Sequence, residues 1–161
     1  MMAFQDYYPD ELAQCYGCGR LNAEGNHLRS FWDGEETVAR FTPKPYHKAV
    51  PGFVNGGLLA SLIDCHATGT AAAAAARAAG QELGRGPPHR FVTASLRVDY
   101  LRPTPLGPEL TLRGRPSSVS GRKVTVEVEV SVGRETTVRG LVICVELPES
   151  MRPPAPAGES P

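Results

Sequence analysis

The sequence predicts a single α+β domain in which one long helix packs against an antiparallel β-sheet. The chain has 161 residues, enough for one compact domain. Residues 56–76 contain no lysine, arginine or glutamate, and segments of alternating apolar and polar residues lie on both sides of this stretch. Short turns between these segments favour an antiparallel sheet over parallel strands joined by crossover helices. The predicted order of elements is β-β-α-β-β-β-β.

The first elements are an irregular lead-in, residues 1–25, and a β-hairpin. Turn-forming residues in Cys15-Tyr-Gly-Cys18-Gly19 indicate an ordered but irregular lead-in. Two strands are predicted at residues 27–32 and 36–41. Asp33-Gly34 lies between them and is a strong hairpin signal, because a tight primed turn requires the positive φ that these residues tolerate.

The long helix is predicted over residues 56–79 and should end at Gly80. Alanine has the highest helix propensity, and Asn55 is in position to cap the N-terminus. Four apolar residues recur at helical spacing, namely Leu58, Leu59, Leu62 and Ile63. The stretch is long enough to span a bilayer, but Asp64 and His66 lie at its midpoint. We therefore expect protein, and not lipid, to surround this helix.

Four more strands complete the predicted domain, which covers residues 26–147. They are expected at residues 91–100, 110–115, 123–132 and 136–146. The third contains five valines that alternate with polar residues, which is typical of a strand with one wet face. In the first, strict alternation places Thr93 on the face opposite Val92 and Leu96. Residues 148–161 are rich in proline and are expected to form a disordered tail.

Charge and cysteine content limit the partners of this chain. Lysine plus arginine and aspartate plus glutamate number 17 each, so no net charge attracts nucleic acid or an anionic membrane. The N-terminus lacks the basic-then-apolar order of a signal peptide, so we expect a cytoplasmic protein whose four cysteines are thiols. Cys15 and Cys18 are only half of a zinc-ligand set, and we expect no metal and no cofactor.

Asp64 is the candidate catalytic residue. It is the one carboxylate in the uncharged helix, and an ionised carboxylate kept from water costs several kcal/mol unless it is paired or hydrogen-bonded. Such a carboxylate either takes part in catalysis or binding, or has a structural role in which it caps a loop or bonds a neighbouring hydroxyl. His66 lies roughly 200° around the helix from Asp64, so the two cannot form an acid–base dyad. Thr68 shares the face of Asp64 and could hold a water molecule.

The N–H groups of Gly56 and Gly57 are free donors at the positive end of the predicted helix, which suits an oxyanion hole. Turn geometry or packing could equally require these glycines. Gly56 and Asp64 are eight residues, or about 12 Å, apart along the helix axis, so they cannot both reach one carbonyl. If both serve one carbon atom, they belong to different chains, and we expect an obligate homodimer.

The segment Pro51-Gly52-Phe-Val-Asn55-Gly56-Gly57, followed after six residues by Asp64, resembles the Gly-x-x-His-Gly-Gly…Asp motif of hotdog-fold acyl-CoA thioesterases. The group it is most similar to is the PaaI and THEM4-like one. Residues 15–25 and 93–103 match in order and spacing. The resemblance implies a hotdog fold, a homodimer or homotetramer with active sites between subunits, and hydrolysis of acyl-CoA.

The resemblance also implies roles for individual residues. Asp64 would be the general base or nucleophile, Gly56 N–H would bind the thioester oxygen, and Thr68 would orient water. Thr93 falls where THEM4-like enzymes have a functional threonine. The motif's usual histidine is Asn55 here, which can cap the helix and donate hydrogen bonds but cannot titrate near neutral pH.

The remaining candidates would contact substrate. His47, just before the turn, could partly replace the missing histidine, and Gly57 could donate to the substrate. Four cations at strand ends could meet the CoA phosphates or could simply be solvated, namely Arg102, Arg115, Arg122 and Lys123.

Two other functions remain open from sequence. The first is an acyl-CoA binding or sensing protein without catalysis, and the second is a hotdog hydratase or dehydratase. A hydratase would need an aspartate–histidine pair across the site, which His47 or His89 would have to complete.

Overall fold

The computed structural model describes residues 1–154 and contains one long helix and one six-stranded sheet. The elements are β1 Ser30–Asp33, β2 Glu36–Phe41, α1 Gly56–Ala78, β3 Phe91–Tyr100, β4 Leu110–Ser120, β5 Lys123–Val132 and β6 Glu135–Glu146. The strand order across the sheet is β1-β2-β4-β5-β6-β3, and all neighbours are antiparallel. The predicted order of elements is confirmed, and the architecture is the hotdog fold.

Helix α1 begins and ends as predicted. The side-chain oxygen of Asn55 accepts hydrogen bonds from the N–H groups of Gly57 (2.8 Å) and Leu58 (3.2 Å), and Gly80 ends the helix at φ 67°. An 18-residue window of α1 is apolar and long enough to cross a membrane, but 78% of it is buried inside the fold. Helix α1 is therefore the core helix of this domain.

The sheet differs from the predicted strands by more than one residue at two ends. Strand β1 starts at Ser30 and not at residue 27, because His27 has a positive φ of 52° and belongs to the lead-in turn. Strand β4 continues past residue 115 to Ser120. Its Pro116 is tolerated because β2 pairs with β4 only as far as Gly114, which leaves one edge of β4 open there.

A β-bulge corrects the predicted face of Thr93. The pairing of β3 with β6 shifts register between Thr93 and Ser95, so that one extra residue enters β3. Thr93 lies opposite Cys144 and Leu96 lies opposite Val142, both of which are fully buried under α1. The strict alternation was therefore wrong: the bulge reverses the parity, and Thr93 shares the helix-facing side with Leu96.

The segments outside the sheet include short 3₁₀ helices. The lead-in contains two, Phe4–Tyr7 and Asp10–Leu12, and the first of them contacts α1. Within the predicted tail, Glu149–Met151 form a third. Residues 155–161 of that tail lie outside the described residues.

Candidate active site

Asp64 lies on the side of α1 that faces the start of β3. Its carboxylate is half-buried, and the hydroxyl of Thr93 donates a hydrogen bond to Oδ1. Burial raises the pKa of Asp64, the Thr93 hydrogen bond acts in the opposite direction, and the nearby Cys15 adds to the rise. The structure thus joins two of the candidate residues through a direct contact between helix and sheet.

Thr68 forms a hydrogen bond within its own helix. It is buried, with 6% of its surface exposed, and its hydroxyl donates to the carbonyl of Cys65 at 3.2 Å. This hydroxyl is therefore bound to the helix backbone, and it makes no hydrogen bond to Asp64 within residues 1–154.

The start of α1 leaves one glycine donor available. The N–H of Gly57 is bound to Asn55, so the expectation that both glycine donors are free was wrong for Gly57. The N–H of Gly56 has no partner within the described part of the chain. Tyr100, at the end of β3, donates from its hydroxyl to the carbonyl of Gly56 at 2.6 Å. A Cβ on Gly56 would lie 3.3 Å from the Tyr100 ring, so only glycine lets this ring approach freely.

Two clefts flank the start of α1. The first, about 500 Å³, is lined by Gly56, Phe53 and Tyr100 among others. The second, about 440 Å³, contains His47, Asn55 and Gly57. The predicted oxyanion donor, Gly56, thus lines one cleft, and the predicted substrate contacts His47, Asn55 and Gly57 line the other.

His47 is held by its own loop. Its Nδ1 accepts a hydrogen bond from the N–H of Lys44 at 3.1 Å, and its ring stacks on Phe41 with 5.6 Å between centroids. Burial, with a smaller contribution from the charge of Lys44, lowers the pKa of His47. The other candidate partner of Asp64, His89, bonds to the side chain of Gln81 at 3.0 Å. Neither imidazole hydrogen-bonds to Asp64 within residues 1–154, so a hydratase-type pair is not formed in this chain.

The candidate phosphate contacts are surface ion pairs. Arg122 pairs with Glu146 at 2.9 Å, Arg102 pairs with Glu135 at 3.0 Å, and Arg115 pairs with Glu36. Lys123 is exposed at the start of β5. Exposed pairs of this kind contribute about 0–1 kcal/mol, so the arginines can exchange these partners for phosphate at little cost. None of these cations forms an ion pair with Asp64 within residues 1–154.

His66 belongs to a buried polar network that sequence reasoning did not find. It is fully buried, and its ring nitrogens contact the hydroxyls of Ser30 (2.9 Å) and Thr37 (3.2 Å). Gln5 in turn binds both the N–H and the hydroxyl of Ser30. Burial lowers the pKa of His66 to about 4. His66 is thus a neutral structural residue on the side of α1 away from Asp64, as the helix geometry predicts.

Comparison with known proteins gives a family and a set of relatives. The family model described as the thioesterase superfamily matches residues 51–138. The acyl-coenzyme A thioesterase THEM4 of Xenopus laevis is 33% identical over 93 residues, which are 58% of this chain and 36% of that protein. THEM4 of Bos taurus is 28% identical over 106 residues, which are 66% of this chain and 38% of that protein. The chain thus spans little more than a third of the length of these curated relatives.

Solved structures are similar over most of the chain. A thioesterase superfamily protein from Shewanella loihica is 46% identical, with a TM-score of 0.67 over 88% of this chain and 100% of that one. The PaaI protein from the phenylacetic acid degradation operon of E. coli is 16% identical, with a TM-score of 0.61 over 76% of this chain and 81% of that one. At this lower identity, the PaaI protein shares the fold.

Proposed function

The chain belongs to the thioesterase superfamily, and we propose that it hydrolyses acyl-CoA thioesters to the free acid and CoA. The observation that carries this proposal is the half-buried carboxylate of Asp64, held by the hydroxyl of Thr93 on the helix-facing side of β3. The name of the Xenopus laevis relative, acyl-coenzyme A thioesterase, supports the substrate class.

Asp64 acts on the thioester in one of two ways. Because Thr93 binds Oδ1, the second carboxylate oxygen is available to the reaction. That oxygen either takes a proton from an attacking water or attacks the carbonyl carbon directly. In the first route, water forms the new C–O bond, the C–S bond breaks, and the proton passes to the CoA thiolate. In the second, an acyl anhydride forms on Asp64 as CoA leaves, and water then cleaves it.

The donor for the developing oxyanion is the N–H of Gly56, at the positive end of α1. Gly56 and Asp64 are separated by eight residues, or about 12 Å of helix, so the two groups that act on one thioester come from different chains. Each chain then supplies Asp64 to one site and Gly56 to the other, and a dimer has two sites.

Strand β3 is the surface through which two copies would associate. It lies at an edge of the sheet, and Leu96 and Tyr100 on it are 39% and 53% exposed. An exposed apolar edge strand readily adds a partner strand. Thr93 near one end of β3 bonds to Asp64, and Tyr100 at the other end bonds to Gly56. Antiparallel pairing about a two-fold axis near Leu96 would set Thr93 opposite the partner's Tyr100 and bring Asp64 towards the partner's Gly56.

We expect Leu96→Arg to produce an inactive monomer, because it puts like charges beside the two-fold axis and removes apolar contact area. The matched control is Leu141→Arg, since Leu141 is 40% exposed on the outer face of the neighbouring strand β6. Sedimentation and the rate of acyl-CoA hydrolysis are measured for both. A fully active Leu96→Arg monomer would contradict the shared site.

The function itself is tested with a panel of short, medium, long and aryl acyl-CoAs and a free-thiol assay for released CoA. We expect turnover of at least one class by the purified wild-type dimer. Binding of acyl-CoA without any release of CoA from the whole panel would overturn hydrolysis and indicate a binding protein instead.

A further inference from the structure

Three cysteine sulfurs meet beside the candidate active site. The Sγ atoms of Cys15, Cys18 and Cys65 all lie within 4.8 Å of one another, and those of Cys15 and Cys65 are 3.7 Å apart. All three are free thiols. Two thiolates bound tetrahedrally to one metal ion at about 2.3 Å are about 3.8 Å apart. The distance between the sulfurs of Cys15 and Cys65 is therefore that of two ligands of one ion, and Cys18 lies within reach of the same position.

The lead-in loop is shaped around these sulfurs. A Cβ on Gly17 would overlap the sulfur of Cys65, and one on Gly19 would lie 2.6 Å from the carbonyl oxygen of Cys15, so the loop closes only with glycine at both positions. The closed loop holds the sulfurs of Cys15 and Cys18 against that of Cys65 on α1.

Two further groups lie beside the cysteine cluster, namely Arg90 and Tyr8. The guanidinium of Arg90 lies 4.5 Å over the ring of Tyr8, within electrostatic reach of all three sulfurs, and it makes no ion pair within residues 1–154. The Tyr8 hydroxyl is buried and has no hydrogen-bond partner in the described part of the chain. An anionic metal–thiolate centre would supply both the counter-charge for Arg90 and an acceptor for Tyr8.

We propose that Cys15, Cys18 and Cys65 bind one thiophilic metal ion, Zn²⁺ or Cu⁺. Three thiolates select such ions over hard cations. Cys15 is only half-buried and provides the entry path, while the other two sulfurs are buried. From sequence, Cys15 and Cys18 were only half of a ligand set; the third ligand comes from α1, 47 positions after Cys18. The ion would fix the lead-in against α1 next to Asp64.

The test is metal uptake by the full chain. Protein purified under reducing conditions is stripped with a chelator and offered Zn²⁺ in one arm and Cu⁺, without oxygen, in the other; bound metal is measured by mass spectrometry after gel filtration. Co²⁺ serves as a third probe, because thiolate coordination gives a charge-transfer absorption band. We expect the protein to retain one equivalent of Zn²⁺ or Cu⁺ per chain, and the retained ion identifies the natural one. We also expect the Co²⁺-loaded protein to show the charge-transfer band.

Variants assign the ligands. We expect Cys15→Ser and Cys65→Ser to lose the bound equivalent and the cobalt band, whereas Cys144→Ala, which removes the one cysteine outside the cysteine cluster, keeps both. Cys15→Ser decides the case if Cys65→Ser does not fold, because Cys15 is in a loop. Three results would each overturn the proposal, whatever the hydrolytic activity. They are the loss of both ions on gel filtration, retention of metal by Cys15→Ser, and a native disulfide found by mass spectrometry.

Discussion

Replacing Asp64 with asparagine is expected to lower kcat for acyl-CoA hydrolysis by about 10³-fold while KM changes little. Asparagine has nearly the same shape and can still accept the hydrogen bond from Thr93. It cannot take a proton from water or attack the carbonyl, and general acid–base catalysis alone contributes about 10²–10⁴-fold. An interaction made only in the transition state affects kcat and not KM. The measurement is CoA release from the best substrate of the panel.

Variants at Asp33 and Thr93 test whether the loss of activity is specific to the carboxylate of Asp64. Asp33→Asn, which changes an exposed carboxylate paired with Arg113 at 3.0 Å, should leave kcat unchanged. Thr93→Val should reduce kcat less than Asp64→Asn does, because it frees the carboxylate to rotate but leaves its chemistry intact. Thr93→Ser keeps the hydroxyl and should have the wild-type kcat. Equal activity of Asp64→Asn and the wild type would remove Asp64 from the mechanism.

The features that could be predicted from sequence are those that local chemistry determines. Alanine content and the helical spacing of Leu62 and Ile63 after Leu58 and Leu59 are sufficient to define α1. A short polar side chain before glycines identifies Asn55 as its cap. The alternating valines of β5 predict its buried face directly, since Val124 and Val128 are at most 1% exposed. These patterns need no knowledge of what the element packs against.

The features that sequence missed depend on tertiary contacts. The bulge after Thr93 has no sequence signal in β3 alone, because it arises from pairing with β6. Cys65 joins Cys15 only because the lead-in folds over α1, and His66 finds Ser30 across 36 positions of chain. The role of such a side chain, as a metal ligand, a hydrogen-bonding group or part of the apolar core, depends on contacts with residues that are distant in sequence.

Gly140 is another residue whose role the sequence does not reveal. It lies in the interior of β6, where glycine normally weakens a strand, and pairs with Val98 and Val128 on either side. A Cβ at this position would overlap the Cγ2 methyl of Ile63, which is fully buried. Glycine therefore lets α1 approach the sheet closely, one residue before Asp64.

We expect Gly140→Ala to reduce the free energy of unfolding by about 1–3 kcal/mol, as overpacking of a filled core does. Ile63→Leu removes the methyl on Cβ at nearly constant volume, so the loss caused by Gly140→Ala should largely vanish in that background. Ile63→Val keeps the Cγ2 methyl and should give no rescue. Urea unfolding of the six proteins measures these differences, and an equal loss in all three backgrounds would contradict the contact.

The same series tests whether this packing positions the catalytic carboxylate. If alanine at 140 lifts α1 from the sheet at Ile63, Asp64 moves relative to Thr93, which is anchored on β3. A displacement of about 1 Å in a reacting group can cost about 10²-fold in rate. Gly140→Ala should therefore lose activity under conditions where it is still folded, and Ile63→Leu should restore rate together with stability. Stability that recovers without the rate would mean that the contact holds the core together but does not set the geometry of Asp64.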